Sequence, residues 1–167
     1  LVGSEMCIRD SGLEGLIDGK IKEATRELTS DMIYRGGTLL RSSRSKRFFD
    51  YEFRRQAYEH LKERNIDKLI IMGGDGSFRA LNDFFNDFEV PFAGIPATID
   101  NDIAGTDYCL GVDTAQNVIL DCIDSVRDTA RSHHRAFVIE TMGRDCGYLA
   151  MTTALCSAAD ICIVPEI

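Results

Sequence analysis

The residues best suited to chemistry lie in four short clusters, each directly after an apolar run. LIIM leads to Gly73, Gly74, Asp75, Gly76 and Ser77; FAGI leads to PATIDND, residues 96–102; FVI leads to ETMGR, residues 140–144; and ICIV leads to Pro165 and Glu166. In GGDGS the glycines permit positive φ and close backbone approach, while loop amides and the start of a following helix supply donors for an anion. A carboxylate inside such a loop would repel phosphate unless Mg²⁺ lies between them, so Asp75 suits a metal nucleotide. The lysine of a Walker loop is absent. In PATIDND an extended backbone puts Asp100 and Asp102 on one side, where one carboxylate can accept a proton while the other steadies a metal or substrate. A solvated Asx-rich turn accounts for the same letters equally well. In ETMGR, Gly143 allows close approach and Arg144 offers a planar cation for phosphate oxygens.

Elements that bring these clusters together are legible in the pattern. The runs Leu69–Met72, Phe92–Ile95, Phe137–Ile139 and Ile161–Val164 lack polar alternation, which predicts parallel strands covered on both faces. Between them, Ala115, Val118, Ile119, Cys122, Ile123, Val126 and Ala130 share one face of a helix, with Asp113 or Thr114 to cap its start. Phe53, Ala57 and Leu61 predict a helix before the first strand, and Phe78, Leu81 and Phe85 one after it. Leu149–Ala159 is apolar on most sides and reads as a buried helix. The fold class is therefore α/β, a doubly wound and mostly parallel sheet of the Rossmann-like three-layer kind. In such sheets the ligand crevice lies at the carboxyl ends of the strands, where all four clusters fall. Arg135 sits at the amino end of its strand, far from the crevice of its own subunit.

The chain has 167 residues, 44% of them hydrophobic and 28% charged, which suits a folded domain. A net charge of −8 disfavours nucleic acid or an anionic membrane as partner, because the long-range field repels phosphate. The basic stretch RGGTLLRSSRSKR, with Arg41, Arg44, Lys46 and Arg47, could supply local cations, or be a solvated turn. Six cysteines form no C-x-x-C pair and read as buried thiols of a reducing cytoplasm. No apolar stretch reaches the length of a membrane span. His60, His133 and His134 do not stand at zinc-ligand spacing. The pairs Phe48–Phe49 and Phe84–Phe85 read as core.

From Gly12 to Glu166 the chain resembles the bacterial-type 6-phosphofructokinases. GLEGLIDGKI, GGTLLRSSR, IIMGGDGS, GIPATIDNDIAGTD, GVDTA, RDTARSHHRAFVIETMGRDCGYLA and IVPE occur in that family's order. G-G-D-G alone is shared with NAD and lipid kinases of related fold; TIDND followed by MGR is not. The resemblance implies transfer of the γ-phosphoryl of Mg-ATP to the 1-hydroxyl of fructose 6-phosphate. By position in the motifs, Asp75 would hold Mg²⁺ with Asp102 assisting, and Gly74, Gly76 and Ser77 would meet the nucleotide phosphates. Arg44 and Ser45 fall where the family touches ATP. Asp100 would be the base, with Thr98 and Ile99 beside the sugar, and Met142, Gly143 and Arg144 fall on the substrate loop. Arg135 matches an arginine that reaches the sugar 6-phosphate in an adjacent subunit, implying a homo-oligomer, a tetramer in the family. Glu166 matches an acid of the effector site in allosteric members.

The sequence departs from that pattern at its ends. Nothing in LVGSEMCIRDS corresponds to the family's opening strand and GGDxPGxN loop, so residues 1–11 are expected to be a non-matching leader joined at Ser11–Gly12. Residues 12–167 are expected to be a partial ATP-binding lobe with part of the sugar-phosphate site. By the resemblance the second lobe is expected to be missing and the sheet incomplete at both ends, and the polypeptide by itself is expected to be catalytically silent. Rival readings are a pyrophosphate-dependent relative and a non-catalytic regulatory subunit; intact Asp75, Asp100 and Arg144 argue against the latter. Gly76 follows the family's ATP pattern rather than the acid of pyrophosphate users, and Ala97 stands where ATP users carry glycine and pyrophosphate users lysine. A complete enzyme containing this chain is accordingly expected to show higher kcat/KM with ATP than with pyrophosphate in a coupled assay; the reverse order overturns the donor assignment.

Overall fold

The computed structural model describes residues 7–9, 12–30, 32–38 and 40–167. In chain order the elements are β1 (Cys7–Arg9), α1 (Gly12–Ile17), β2 (Ile21–Glu23), α2 (Arg26–Thr29), α3 (Tyr51–Glu63), β3 (Leu69–Gly73), α4 (Asp75–Phe88), β4 (Phe92–Pro96), α5 (Val112–His133) and α6 (Tyr148–Ser157), with short 3₁₀ turns at Met32–Tyr34 and Arg47–Phe49. They fall into two compact units. One comprises the described residues up to Leu69 with Arg79–Phe92, the other Ile70–Phe78 with Ala93–Ile167. No helix among the described residues is long and apolar enough to cross a membrane.

The first unit is organised around α3. Asp50 caps it by accepting from the Glu52 N–H at 2.9 Å, and Arg55 lies between Glu52 and Glu59 on the solvent side. Its end is closed by Asn65 at φ 54°, with the Asn65 and Ile66 amides returning to the Lys62 and Leu61 carbonyls. Ala57 and Leu61 are buried with Leu16 and Ile17 of α1. Phe84 packs on Phe48 with ring centroids 5.6 Å apart, and Phe88 stacks on Tyr58 at 4.6 Å. The Arg54 guanidinium is buried, donating to Asp87 at 2.5 Å and to the Phe48 and Phe49 carbonyls at 3.1 and 2.8 Å. Of the two expected aromatic pairs only Phe48 and Phe84 are core; Phe49 and Phe85 are exposed. The inward face of α4 runs through the buried Leu81 and through Phe84 and Phe88, which meet Phe48 and Tyr58.

Part of the expected leader is structured: β1 pairs antiparallel with β2, Cys7 opposite Glu23 and Arg9 opposite Ile21. Residues 1–6, 10 and 11 lie outside the described residues. In the basic stretch, Arg47 donates to Glu14 at 2.8 Å and to Asp18 at 3.0 Å. Hydrogen bonds from Arg47 and then Lys20 hold the Asp18 carboxyl below the usual carboxylate range, and Asp18 chiefly holds Arg47 above its own.

Most of the strand pair belongs to the second unit, with the first residue of each strand, Leu69 and Phe92, assigned to the first. The Leu69 N–H donates to the Pro91 carbonyl at 3.0 Å and the Ala97 N–H to the Gly73 carbonyl at 2.9 Å, so β3 and β4 run parallel in a constant register. These two expected strands form. The other two do not: Phe137–Ile139 and Ile161–Val164 are irregular, and Val138 is 99% exposed. Their residue types fit a pleated surface, but a strand exists only where a neighbour accepts its ladder, and no described segment does so here. β3 is covered on one face only, with Leu69 and Ile71 buried and Ile70 and Met72 exposed.

Helix α5 begins at Gly111, whose φ of 100° suits glycine; neither Asp113 nor Thr114 is the cap, although Asp113 still lies in the first turn, where its charge favours the helix dipole. Within the expected stripe, Val118 and Cys122 face solvent and Ile119, Ile123 and Val126 are half-buried. Helix α6 buries only the line Leu149, Thr153 and Ser157, while Met151 and Leu155 are exposed, so it is amphipathic by position rather than by composition. Both helices end on non-glycine residues in the left-handed region, His134 at φ 49° and Ala158 at 51°, as α4 ends on Glu89 at 54°. Of the cysteines, Cys109 is buried and Cys146 half-buried, whereas Cys122, Cys156 and Cys162 are exposed, contrary to the reading of all as buried thiols. Phe84→Ala is expected to cost about 3–5 kcal/mol and Phe85→Ala less than about 1 kcal/mol in urea unfolding; equal losses would overturn the assignment of the inward face.

Candidate active site

The glycines of the loop after β3 stand in different surroundings. A side chain on Gly73 would collide with Ser77, whose Oγ and Cβ lie 2.7 and 2.8 Å from the position a Cβ would take. Ser77 is held over Gly73 because its N–H donates to the Gly74 carbonyl at 3.0 Å, forming the first turn of α4. At Gly74 a Cβ would come within 3.4 Å of the Thr98 Cβ, whereas around Gly76 nothing lies within 4 Å. Asp75 is half-buried and opens α4, so its carboxylate lies at the positive end of a helix.

The loop after β4 is tied to the first one. The Ala97 N–H bonds the Gly73 carbonyl, and Thr98 lies against Gly74. Thr98 Oγ1 accepts the Asp100 N–H at 3.2 Å. Ile99 packs with Ile103 on the cluster of Cys109, Val112 and Leu149, which anchors the loop from below. The Leu110 N–H donates to the Pro96 carbonyl at 3.0 Å, closing the loop at its neck. Asp100 is half-buried and Asp102 exposed. The residues flanking Asp75 and Asp100 thus meet at the carboxyl ends of two adjacent parallel strands.

The third and fourth clusters lie in the same unit. Gly143 has φ 141° and is buried, and the Cys146 N–H donates to its carbonyl at 2.9 Å; a side chain there would land on the Cys146 carbonyl oxygen. Met142 and Arg144 are exposed on this turn. Glu166 Oε1 accepts the Gly147 N–H at 2.7 Å, placing a carboxylate at the start of α6. Arg135 lies beside Arg127, Arg131 and His134 at the end of α5, around a hollow of about 340 Å³ that Asp160 also lines. Arg44 and Ser45 belong to the other unit. Arg44 is exposed, and the Ser45 hydroxyl donates to Glu14 at 2.5 Å while accepting the Phe48 N–H at 3.1 Å.

Residues that the sequence reading did not single out hold the second loop in place. The Asn101 side chain bridges Asp107 and Cys109. Tyr108 donates to Gln116 Oε1, and Gln116 Nε2 donates to Thr152 Oγ1 at 2.8 Å, linking loop, α5 and α6. Partial desolvation, then Asp113 and Tyr148, hold the Tyr108 phenol above its usual range, which keeps it a donor. The signal available beforehand was an asparagine between two acids with glycine and aspartate following, a pattern that favours left-handed backbone and side-chain bonding to the main chain.

Among the described residues no three His, Cys, Asp or Glu side chains gather into a metal cage. Mg²⁺ does not need one, since it binds through one or two carboxylates with phosphate oxygens and water completing the shell. Asp75, beside the open space at Gly76, has the right donor chemistry for that arrangement.

This combination of a parallel α/β strand pair with an acidic glycine loop and an Asx-rich loop at the strand ends agrees with the comparisons to known proteins. The family model for phosphofructokinase matches residues 2–167, and the chain belongs to the phosphofructokinase family. It is 59% identical over 157 residues to an ATP-dependent 6-phosphofructokinase of Sulfurimonas denitrificans, covering 94% of this chain and 49% of that protein. To an ATP-dependent 6-phosphofructokinase of Wolinella succinogenes it is 55% identical over 165 residues, covering 99% and 52%. The chain therefore spans about half the length of these curated relatives. Among solved structures, phosphofructokinase from Saccharomyces cerevisiae superposes with a TM-score of 0.81 at 32% identity, over 95% of this chain and 24% of that one. Phosphofructokinase of Pichia pastoris gives 0.87 at 30%, over 95% and 19%.

The glycine geometry yields a contrast. Gly143→Ala is expected to destabilise the protein by about 1–3 kcal/mol, whereas Gly76→Ala, with open space and a helical position, is expected to be neutral or stabilising by up to about 1 kcal/mol. Thermal melts of the two variants decide it, and a tolerated Gly143→Ala would overturn the account of that turn.

Proposed function

We propose that the chain forms part of a 6-phosphofructokinase that transfers the γ-phosphoryl group of ATP to the 1-hydroxyl of fructose 6-phosphate, giving fructose 1,6-bisphosphate in the cytoplasm. The observation that carries this reading is the contact of Gly74 with Thr98, which sets the loop of Asp75 beside the loop of Asp100. The names of its relatives, and a glycine rather than an acid at position 76, favour ATP over pyrophosphate.

Phosphoryl transfer asks for positioning and charge neutralisation more than for covalent catalysis. In the proposed reaction the sugar hydroxyl oxygen bonds to the γ-phosphorus as the bond to the β,γ-bridging oxygen breaks. The hydroxyl proton passes to the Asp100 carboxylate, and ADP leaves. Gly74, Gly76 and Ser77, at the start of α4, meet the nucleotide phosphates. Thr98 and Ile99 flank the sugar, and Met142, Gly143 and Arg144 form the substrate loop. Asp75, assisted by Asp102, would hold Mg²⁺, which when bound neutralises phosphate charge. By their position in the family's motif Arg44 and Ser45 would touch ATP, the Ser45 hydroxyl being engaged by Glu14. Arg135 serves the sugar 6-phosphate of a neighbouring subunit in a homo-oligomer, and Glu166 lies at an effector site.

A placed base contributes about 10²–10⁴ in rate, or about 3–5 kcal/mol of barrier. Asp100→Ser in the complete enzyme is expected to keep substrate binding while turnover falls at least about a hundredfold; near-normal turnover would remove Asp100 from the role.

A further inference from the structure

We propose that Asn101 is a positioning residue for Asp100, clamping the loop that carries the base without touching substrate. The inference rests on the reading of Asp100 given above. Asn101 has φ 57°, in the left-handed region that asparagine tolerates better than other residues with a side chain. Both ends of its amide are engaged within the loop: Nδ2 donates to the Asp107 carbonyl at 3.2 Å, and Oδ1 accepts the Cys109 N–H at 2.9 Å.

These two backbone partners straddle Tyr108, and Cys109 belongs to the buried cluster with Val112 and Leu149. One side chain therefore ties the residue next to the base to the core of its unit. The loop is also closed at its neck by Leu110 on Pro96, and a Cβ on Gly111 would come within 3.4 Å of the Ile99 methyl. Across its middle, Asn101 supplies a tie from both ends of one side chain. Asp100 has the Thr98 hydroxyl on its own amide and the left-handed Asn101 immediately after it. The direction in which its carboxylate leaves the chain thus depends on a backbone reversal that the Asn101 side chain holds.

Two substitutions separate backbone from side chain. Asn101→Gly retains access to positive φ and deletes both bonds, while Asn101→Asp keeps an acceptor for the Cys109 N–H and loses the donation to Asp107. In the complete enzyme, Asn101→Gly is expected to lower kcat about ten- to a hundredfold, because a misplacement of about 1 Å costs that much, while the KM for ATP changes less than about twofold. Asn101→Asp is expected to recover part of the loss. Amide exchange at Cys109 is expected to accelerate at least about tenfold in Asn101→Gly and to stay near the wild-type rate in Asn101→Asp.

The decisive arm repeats Asn101→Gly in an Asp100→Ser background. A residue acting through Asp100 has little left to lose there, whereas a general structural role lowers the residual rate again by the same factor. Unchanged kcat in Asn101→Gly, unchanged Cys109 exchange, or a full effect in the Asp100→Ser background each overturns the proposal. If the unmodified enzyme transfers no phosphoryl group to fructose 6-phosphate, the functional reading fails separately, and the exchange measurement alone decides whether the clamp exists.

Discussion

The site rests on a parallel strand pair whose last rung is the hydrogen bond from the Ala97 N–H to the Gly73 carbonyl, 2.9 Å long. Parallel pairing in constant register makes both strands end at the same level, so the loops that follow must leave side by side. A Cβ at Gly74 would stand 3.4 Å from the Thr98 Cβ, so the two loops lie side by side. A shift of one residue in register would carry Thr98 and Asp100 away from the glycine loop and turn every strand side chain to the other face. The proposed chemistry is thus a property of sheet register first and of individual carboxylates second.

Much of this was legible in the letters because the signals were local. LIIM and FAGI are apolar, short and stopped by glycine or proline, and β3 and β4 run as expected. Helices α3, α4 and α5 follow from their apolar periods. What was not legible depends on neighbours. FVI and ICIV have the same composition as the strands that form, yet no described segment offers them a ladder. Phe84 and Phe85 are identical side chains one residue apart, and only the location of Phe48 decides which is buried. At the start of α5, Asp113 and Thr114 have the better capping side chains, but the chain arrives through the left-handed turn at Gly111.

The candidate site shows the same division. Gly74, Asp75, Thr98 and Asp100 could be named from motif chemistry and lie in adjoining loops. Asn101 could not be weighed in advance, because its partners are backbone groups of Asp107 and Cys109 whose approach is a result of the loop's fold. Ser45 is a second case: the resemblance implied a contact with ATP, and nothing in the sequence announced that its hydroxyl donates to Glu14 and accepts the Phe48 N–H.

The helix ends carry a different consequence. Asn65, Glu89, His134 and Ala158 all adopt left-handed backbone where glycine would do so without steric cost. For residues other than glycine and asparagine this conformation costs roughly 1 kcal/mol or more per position. Natural variation could therefore raise the thermal ceiling of this chain at its helix ends, one glycine at a time, leaving the geometry of the acidic loops untouched.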